Sequence, residues 1–211
     1  MVGILIETGS TSGPLLVELP RILALKIIGV CIVNWAQTIW QKCAKYHIGV
    51  AAADAQETKA LAAYSNKIKT AQGLKLFIDF HSYSQLMMSR KSNQPQRTLY
   101  KFPNLTCTAY GYSCTALPEN NAQHQSLAAG YVAAVKAVYG TVFTYGPICS
   151  TIYAATGNSV DYHDATVGAD FSFTTELRDT GTYGFVLPAT QITPSVIEAY
   201  AGVRSLLINM T

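Results

Sequence analysis

An imidazole at position 81 and a carboxylate at position 176 offer most of the chemistry in this sequence. His81 closes the apolar run Leu74–His81 (LKLFIDFH), at the point where open α/β sheets place their ligand-binding crevices. An imidazole there serves either as a metal ligand or as a hydrogen-bonded residue at the sheet edge, and the residues alone leave both open. Glu176 lies on the polar side of an alternating segment and is followed by Arg178 and Asp179. A charged side chain on a core strand needs an ion partner or a solvated cleft. Pairing with Arg178 and service as a catalytic carboxylate are therefore both open.

Other clusters offer less. Arg90, Lys91, Arg97 and Lys101 fall in a polar interval with few aromatic residues, which reads as a solvated loop rather than a polyanion surface. Asn104-Leu105-Thr106 is an N-glycosylation sequon, meaningful only on a secretory route. Thirteen tyrosines are too many for composition to single out a functional one.

The elements that must position His81 and Glu176 are legible. Leu61, Tyr64 and Ile68 recur at helical spacing and Gly73 stops that helix before the strand Leu74–His81. The near-continuous apolar run of that strand predicts cover on both faces. Leu127, Tyr131, Val135 and Val138 line a second helix, with Gly140 where a left-handed C-cap falls. Residues 142–148 read as a strand. Phe171, Phe173, Thr175 and Leu177 alternate with Ser172, Thr174 and Glu176, so one face of that strand is polar. A last helix is predicted from an N-cap at Thr193 and Pro194 in its first turn, with Ile197, Ala201, Leu207 and Ile208 on a broad apolar side. Helices alternating with strands predict an α/β layered domain.

Composition sets outer bounds. In 211 residues, 49% hydrophobic and 13% charged types describe one domain with a buried sheet and exclude a disordered acidic or coiled-coil chain. A net charge of +3 gives no basis for binding nucleic acid. No window reaches the roughly 18 apolar residues that a membrane-spanning helix needs. Cys31, Cys43, Cys107, Cys114 and Cys149 point to an oxidising compartment, whereas residues 1–10 lack the basic start of a signal peptide. Residues 1–42 show no consistent period and are expected to be a poorly defined leader; residues 89–109 read as an irregular insertion.

Three stretches carry a specific likeness: LKLFIDFHSYSQL from Leu74, TIYAATGNSVDY from Thr151 and FSFTTELRDTGTYGFVLP from Phe171. In this order they resemble the C-terminal half of a zinc metallocarboxypeptidase of the carboxypeptidase A type. The resemblance spans about residues 43–88 and 110–211. It implies a truncated carboxypeptidase-like fold, an α/β/α sandwich with a mixed sheet that lacks its front strands. By the resemblance, His81 is a ligand of a catalytic Zn2+ and Glu176 is the carboxylate that activates water. Zinc lowers the pKa of a bound water and polarises the scissile carbonyl, while the carboxylate takes the water proton and passes it to the leaving amine. Tyr153 matches a mobile tyrosine that holds the substrate carboxylate, and Tyr83 matches a subsite residue. Val160 matches the pocket floor, with Ile148, Ala155 and Thr174 as walls. All four are uncharged, which implies preference for apolar or aromatic C-terminal residues. Cys114 and Cys149 match a disulfide pair, which fits secretion, with peptide or protein C-termini as partners.

The resemblance breaks at two places. The family draws its other two zinc ligands from a His-x-x-Glu motif. Three residues beyond His47, His81, His124 and His163 stand Val50, Ser84, Leu127 and Thr166. Val33, before Asn34-Trp35, occupies the place of a substrate-binding arginine. The expectation is a chain of a carboxypeptidase family that does not itself hydrolyse peptides. A relative that binds peptide C-termini without cutting them and a truncated or mis-assembled gene product are the alternatives. Loss of the front of the sheet is expected to expose an apolar edge.

Overall fold

Two strands with opposite habits organise the structure. Leu74–His81 is apolar almost throughout, whereas Phe171–Glu176 alternates, and each must find cover that suits its faces. The computed structural model describes residues 2–7, 26–27, 55–89, 120–153 and 158–210. In chain order the described elements are strands β1 (Val2–Glu7) and β2 (Lys26–Ile27), helix α1 (Gln56–Gln72), strands β3 (Leu74–His81) and β4 (Leu86–Ser89), helix α2 (Asn121–Tyr139) and strand β5 (Thr144–Pro147). Short helices α3 (Ile148–Thr151) and α4 (Ser159–Tyr162) follow, then a π-helical turn His163–Val167, strand β6 (Phe171–Glu176), a 3-10 turn Ala189–Gln191 and helix α5 (Ile192–Asn209).

The sheet runs in the order β2-β1-β3-β6-β4-β5 and is mixed. β3 and β6 are parallel, as are β4 and β5, while β4 lies antiparallel to β6 and β1 antiparallel to β3. Helices cover both faces, giving the expected α/β/α sandwich. Leu76, Ile78, Phe80, Phe171 and Phe173 pack with Leu127, Tyr131 and Val135 of α2 and Leu206 of α5. On the other face Leu74, Phe77 and Met88 pack with Ile68 of α1, Ile148 of α3, Val160 of α4, and Val167.

Local signals explain most element ends. Gly140 caps α2 in the left-handed conformation at φ 79°, and its N–H donates to the Lys136 carbonyl. β5 is shorter than the predicted strand because Pro147, tolerated only at a sheet edge, ends it and Ile148 opens α3. In α1 Leu61 and Ile68 are buried as expected, but Ser65 replaces Tyr64 on the inner face and Tyr64 is exposed.

The last helix departs further from expectation. It starts at Ile192, directly from the 3-10 turn, so Thr193 lies inside its first turn rather than at the N-cap. Its buried stripe is Ser195, Glu198, Gly202 and Leu206, while Ile197 and Ile208 face outward. A glycine sits in that stripe because α5 crosses α2 closely: a Cβ on Gly202 would overlap the Tyr131 ring.

β1 runs antiparallel along β3 from Val2 opposite Phe80 to Glu7 opposite Leu74, and β2 lies beyond it. The backbone N–H and C=O groups of β3 thereby gain ladder partners on both sides. The rest of the expected leader, the insertion at 89–109 apart from Ser89, and Ala155, Cys31, Cys43, Cys107 and Cys114 lie outside the described residues.

Candidate active site

Register brings the two predicted residues together. In the parallel pair β3–β6, Asp79 stands opposite Thr174 and His81 opposite Glu176. Because strand side chains alternate, Phe77, Asp79 and His81 share one face, the same face that carries Ser172, Thr174 and Glu176 of β6. His81 Nδ1 lies 3.5 Å from Glu176 Oε1, at the C-terminal ends of both strands. A slip of one residue in either strand would turn one of these side chains toward α2.

A third ionisable group joins them. Asp79 is buried, and its Oδ2 lies 3.2 Å from His81 Nε2. Asp79 Oδ2 also accepts from the Ser159 hydroxyl at the start of α4. Sequence reasoning missed Asp79, although an acid two residues before His81 in an otherwise apolar strand was a usable signal. Burial makes the His81 ring less basic, but contacts with Asp79 and Glu176 outweigh it and lift its pKa from 6.5 to about 9. Glu176 Oε2 is buried and finds no hydrogen-bond partner among the described residues.

Glu176 is available because Arg178 is engaged elsewhere. Arg178 Nε donates to Glu198 Oε2 at 3.0 Å and Nη2 to Glu198 Oε1 at 2.9 Å, a bidentate pair with α5. Its Nη1 donates to Gln191 Oε1 at 2.7 Å and Nη2 also reaches Thr141 Oγ1 at 3.1 Å. The alternative of a Glu176–Arg178 pair on one strand face is thus not what forms.

The remaining predicted residues are dispersed around this centre. Tyr83 follows His81 in the β3–β4 connection and packs edge to face on Phe185 with ring centroids 5.2 Å apart. Thr174 is buried one alternation before Glu176. Val160 is wholly buried and meets Ile148 in the apolar cluster on the α4 side of the sheet. Tyr153 is 64% exposed and turned to solvent. Asp161 is occupied at the head of α4, where its N–H donates to Asn158 Oδ1 and its Oδ2 accepts from Asn158 Nδ2, each at 2.8 Å.

These residues do not make a metal centre by themselves. A catalytic zinc takes three protein ligands, and among the described residues no three His, Cys, Asp or Glu side chains gather as a metal-binding group.

A profile of the zinc carboxypeptidase family matches residues 34–202. Metallocarboxypeptidase A of Arthroderma otae is 43% identical over 165 residues, 78% of this chain and 35% of that protein. Carboxypeptidase A1 of Bos taurus is 36% identical over 165 residues, covering 78% and 34%. The chain therefore spans about a third of the length of these relatives. Among solved structures, bovine thrombin-activatable fibrinolysis inhibitor in complex with tick carboxypeptidase inhibitor superposes with a TM-score of 0.63 at 27% identity, over 78% of this chain and 48% of that one. Carboxypeptidase A from Helicoverpa armigera, at 20% identity and a TM-score of 0.61 over 77% and 36%, shares the fold. By sequence and by fold alike, the chain belongs to the zinc carboxypeptidase family.

Proposed function

We propose that this chain carries the rear half of a carboxypeptidase site, built to release a C-terminal amino acid from peptides. The approach of His81 and Glu176 on adjacent parallel strand ends carries this reading. In a complete site Glu176 would take a proton from the attacking water and return it to the departing amine. His81, beside Glu176, would be one of the three protein ligands that the family's zinc needs. Tyr83 and Tyr153 contact the peptide, and Val160, Ile148, Ala155 and Thr174 shape a pocket for an apolar or aromatic C-terminal side chain. The uncharged character of these four supports that preference, since a basic side chain would call for a buried carboxylate.

Zinc is the metal of the family, but His-x-x-Glu is missing from these 211 residues. The chain as it stands is therefore proposed not to complete a zinc site and not to hydrolyse peptides. Secretion and a Cys114–Cys149 bridge belong to the same reading. Cys149 is buried at the head of α3, and no helix among the described residues is long and apolar enough to cross a membrane. Metal analysis of the folded chain, run beside an assay on a peptide ending in Phe, tests the proposal. The expected result is well under one zinc per chain and no release of Phe. Stoichiometric zinc with turnover would overturn the claim of inactivity. Absence of zinc with saturable peptide binding in a titration would favour the non-catalytic, C-terminus-binding alternative.

A further inference from the structure

Two residues with left-handed backbones face each other beside the site. Gln85, in the β3–β4 connection, has φ 59°, and Asp179, just past β6, has φ 105°. Neither is glycine, so each conformation costs energy and must be held by its surroundings. Gln85 uses every polar group it has to do so. Its N–H donates to the Leu177 carbonyl at 3.2 Å and its carbonyl accepts from the Thr144 N–H at 3.0 Å. Its side-chain Nε2 donates to the Val142 carbonyl at 2.9 Å, and Oε1 accepts from the Asp179 N–H at 3.3 Å. One side chain thus ties the β3–β4 connection to the lead-in of β5 and to the segment after β6.

Asp179 passes this constraint on. Its Oδ2 accepts from the N–H groups of Gly181 at 3.0 Å, Tyr183 at 3.1 Å and Gly184 at 2.8 Å, which folds residues 179–184 into a turn around one oxygen. That turn sets Phe185 against the Tyr83 ring. Phe185 is nevertheless 83% exposed, so its position owes little to burial and depends on the turn beneath it.

We infer that Gln85 is a positioning residue: through Asp179 it holds the 179–184 turn, and so sets the Tyr83–Phe185 aromatic pair as a rigid lip beside Glu176. The lip's role toward peptides rests on the proposed function, in which Tyr83 contacts substrate. The clamp itself does not.

Amide exchange on the full chain, with Gln85→Met and Gln85→Gly, tests the clamp. Methionine keeps the shape and removes both side-chain hydrogen bonds; glycine removes them and also relieves the left-handed backbone. Both variants are expected to speed exchange at Gly181, Tyr183 and Gly184 by ~10-fold or more while β3 and β6 amides stay as they were, as loss of a local constraint requires. Gln85→Glu retains the acceptor for the Asp179 N–H and should restore part of the protection. Unchanged exchange in the turn, or equal acceleration throughout the sheet, overturns the inference. Titration with a peptide ending in Phe is the second arm. Weaker binding by the Met and Gly variants than by the parent chain extends the clamp to substrate. No binding by the parent chain sinks the reading of Tyr83 and leaves the clamp to be judged by exchange alone.

Discussion

His163 is a buried ionisable residue that the proposed chemistry does not use. Its ring stacks on Phe77 with centroids 3.5 Å apart, Nδ1 lies 2.8 Å from the Ser159 carbonyl and Nε2 lies 2.9 Å from Ser65 Oγ. A carbonyl only accepts, so Nδ1 carries a proton, and the Ser65 hydroxyl facing Nε2 also donates to the Leu61 carbonyl at 2.8 Å. Burial lowers its pKa from 6.5 to about 4, against smaller opposing effects of the Ser159 carbonyl and Asp79. The folded chain thus binds a proton less readily than the unfolded one. The stability that depends on the neutral ring is complete above pH 6.5 and falls away as pH drops from 6.5 toward 4. Between pH 7 and 5 the loss should be about 2 kcal/mol. Urea unfolding of the parent chain and of His163→Gln at both pH values isolates it, because titration of His81 cancels in the difference. An equal pH response in both chains would refute the assignment.

Helix α5 shows how a single element is oriented by partners remote in sequence. Its most hydrophobic residues suggested one inner face, yet the buried stripe is Ser195, Glu198, Gly202 and Leu206. Glu198 is drawn in by Arg178, whose side chain is itself only 17% exposed, and by the Thr141 hydroxyl. Removing one member of a buried pair strands the other. Glu198→Ala should therefore destabilise the chain by about 3–5 kcal/mol, and a paired Arg178→Met, Glu198→Leu replacement should recover much of that loss. Chemical denaturation of the two variants beside the parent chain measures it, and a double variant no better than Glu198→Ala would contradict the account. Gly202→Ala forces a methyl into the Tyr131 ring and should cost about 1–3 kcal/mol. A thermal melt equal to that of the parent chain would show that α5 can move away from α2 freely.

Across the whole molecule, three layers and one pairing of strands create the site. β3 comes from the middle of the chain and β6 from near its end, and parallel pairing puts the tip of each on the same edge of the sheet. Register makes a prediction at this scale. Thr174→Val, which keeps the β-branched shape on the site face, should leave the fold and the β3–β6 ladder intact. Inserting one residue between Phe173 and Thr174 should instead turn Glu176 away from His81 and bury a carboxylate against α2. Far-UV circular dichroism with urea titration checks both; an insertion variant as stable as the parent chain would mean that the register is not held by the alternation.

Much of this was legible without coordinates. The period-two pattern of residues 171–177 sorted Phe171, Phe173 and Thr175 from Ser172, Thr174 and Glu176, and the structure keeps that division: Tyr131 Oη lies 3.3 Å from Thr175 Oγ1 on one face, and Ser172 Oγ donates to the Val160 carbonyl on the other. The apolar run ending in His81, the stop at Gly73 and the cap at Gly140 were readable for the same reason, since each depends on the backbone and near neighbours alone. What only the tertiary structure decided was partnership at long range. Arg178 turned to Glu198 rather than to Glu176, α5 turned Glu198 to the core, and Asp79 met the Ser159 hydroxyl. The energy of a buried charge is set by what surrounds it in space, and residues 20 to 80 positions away in the chain supply those surroundings here.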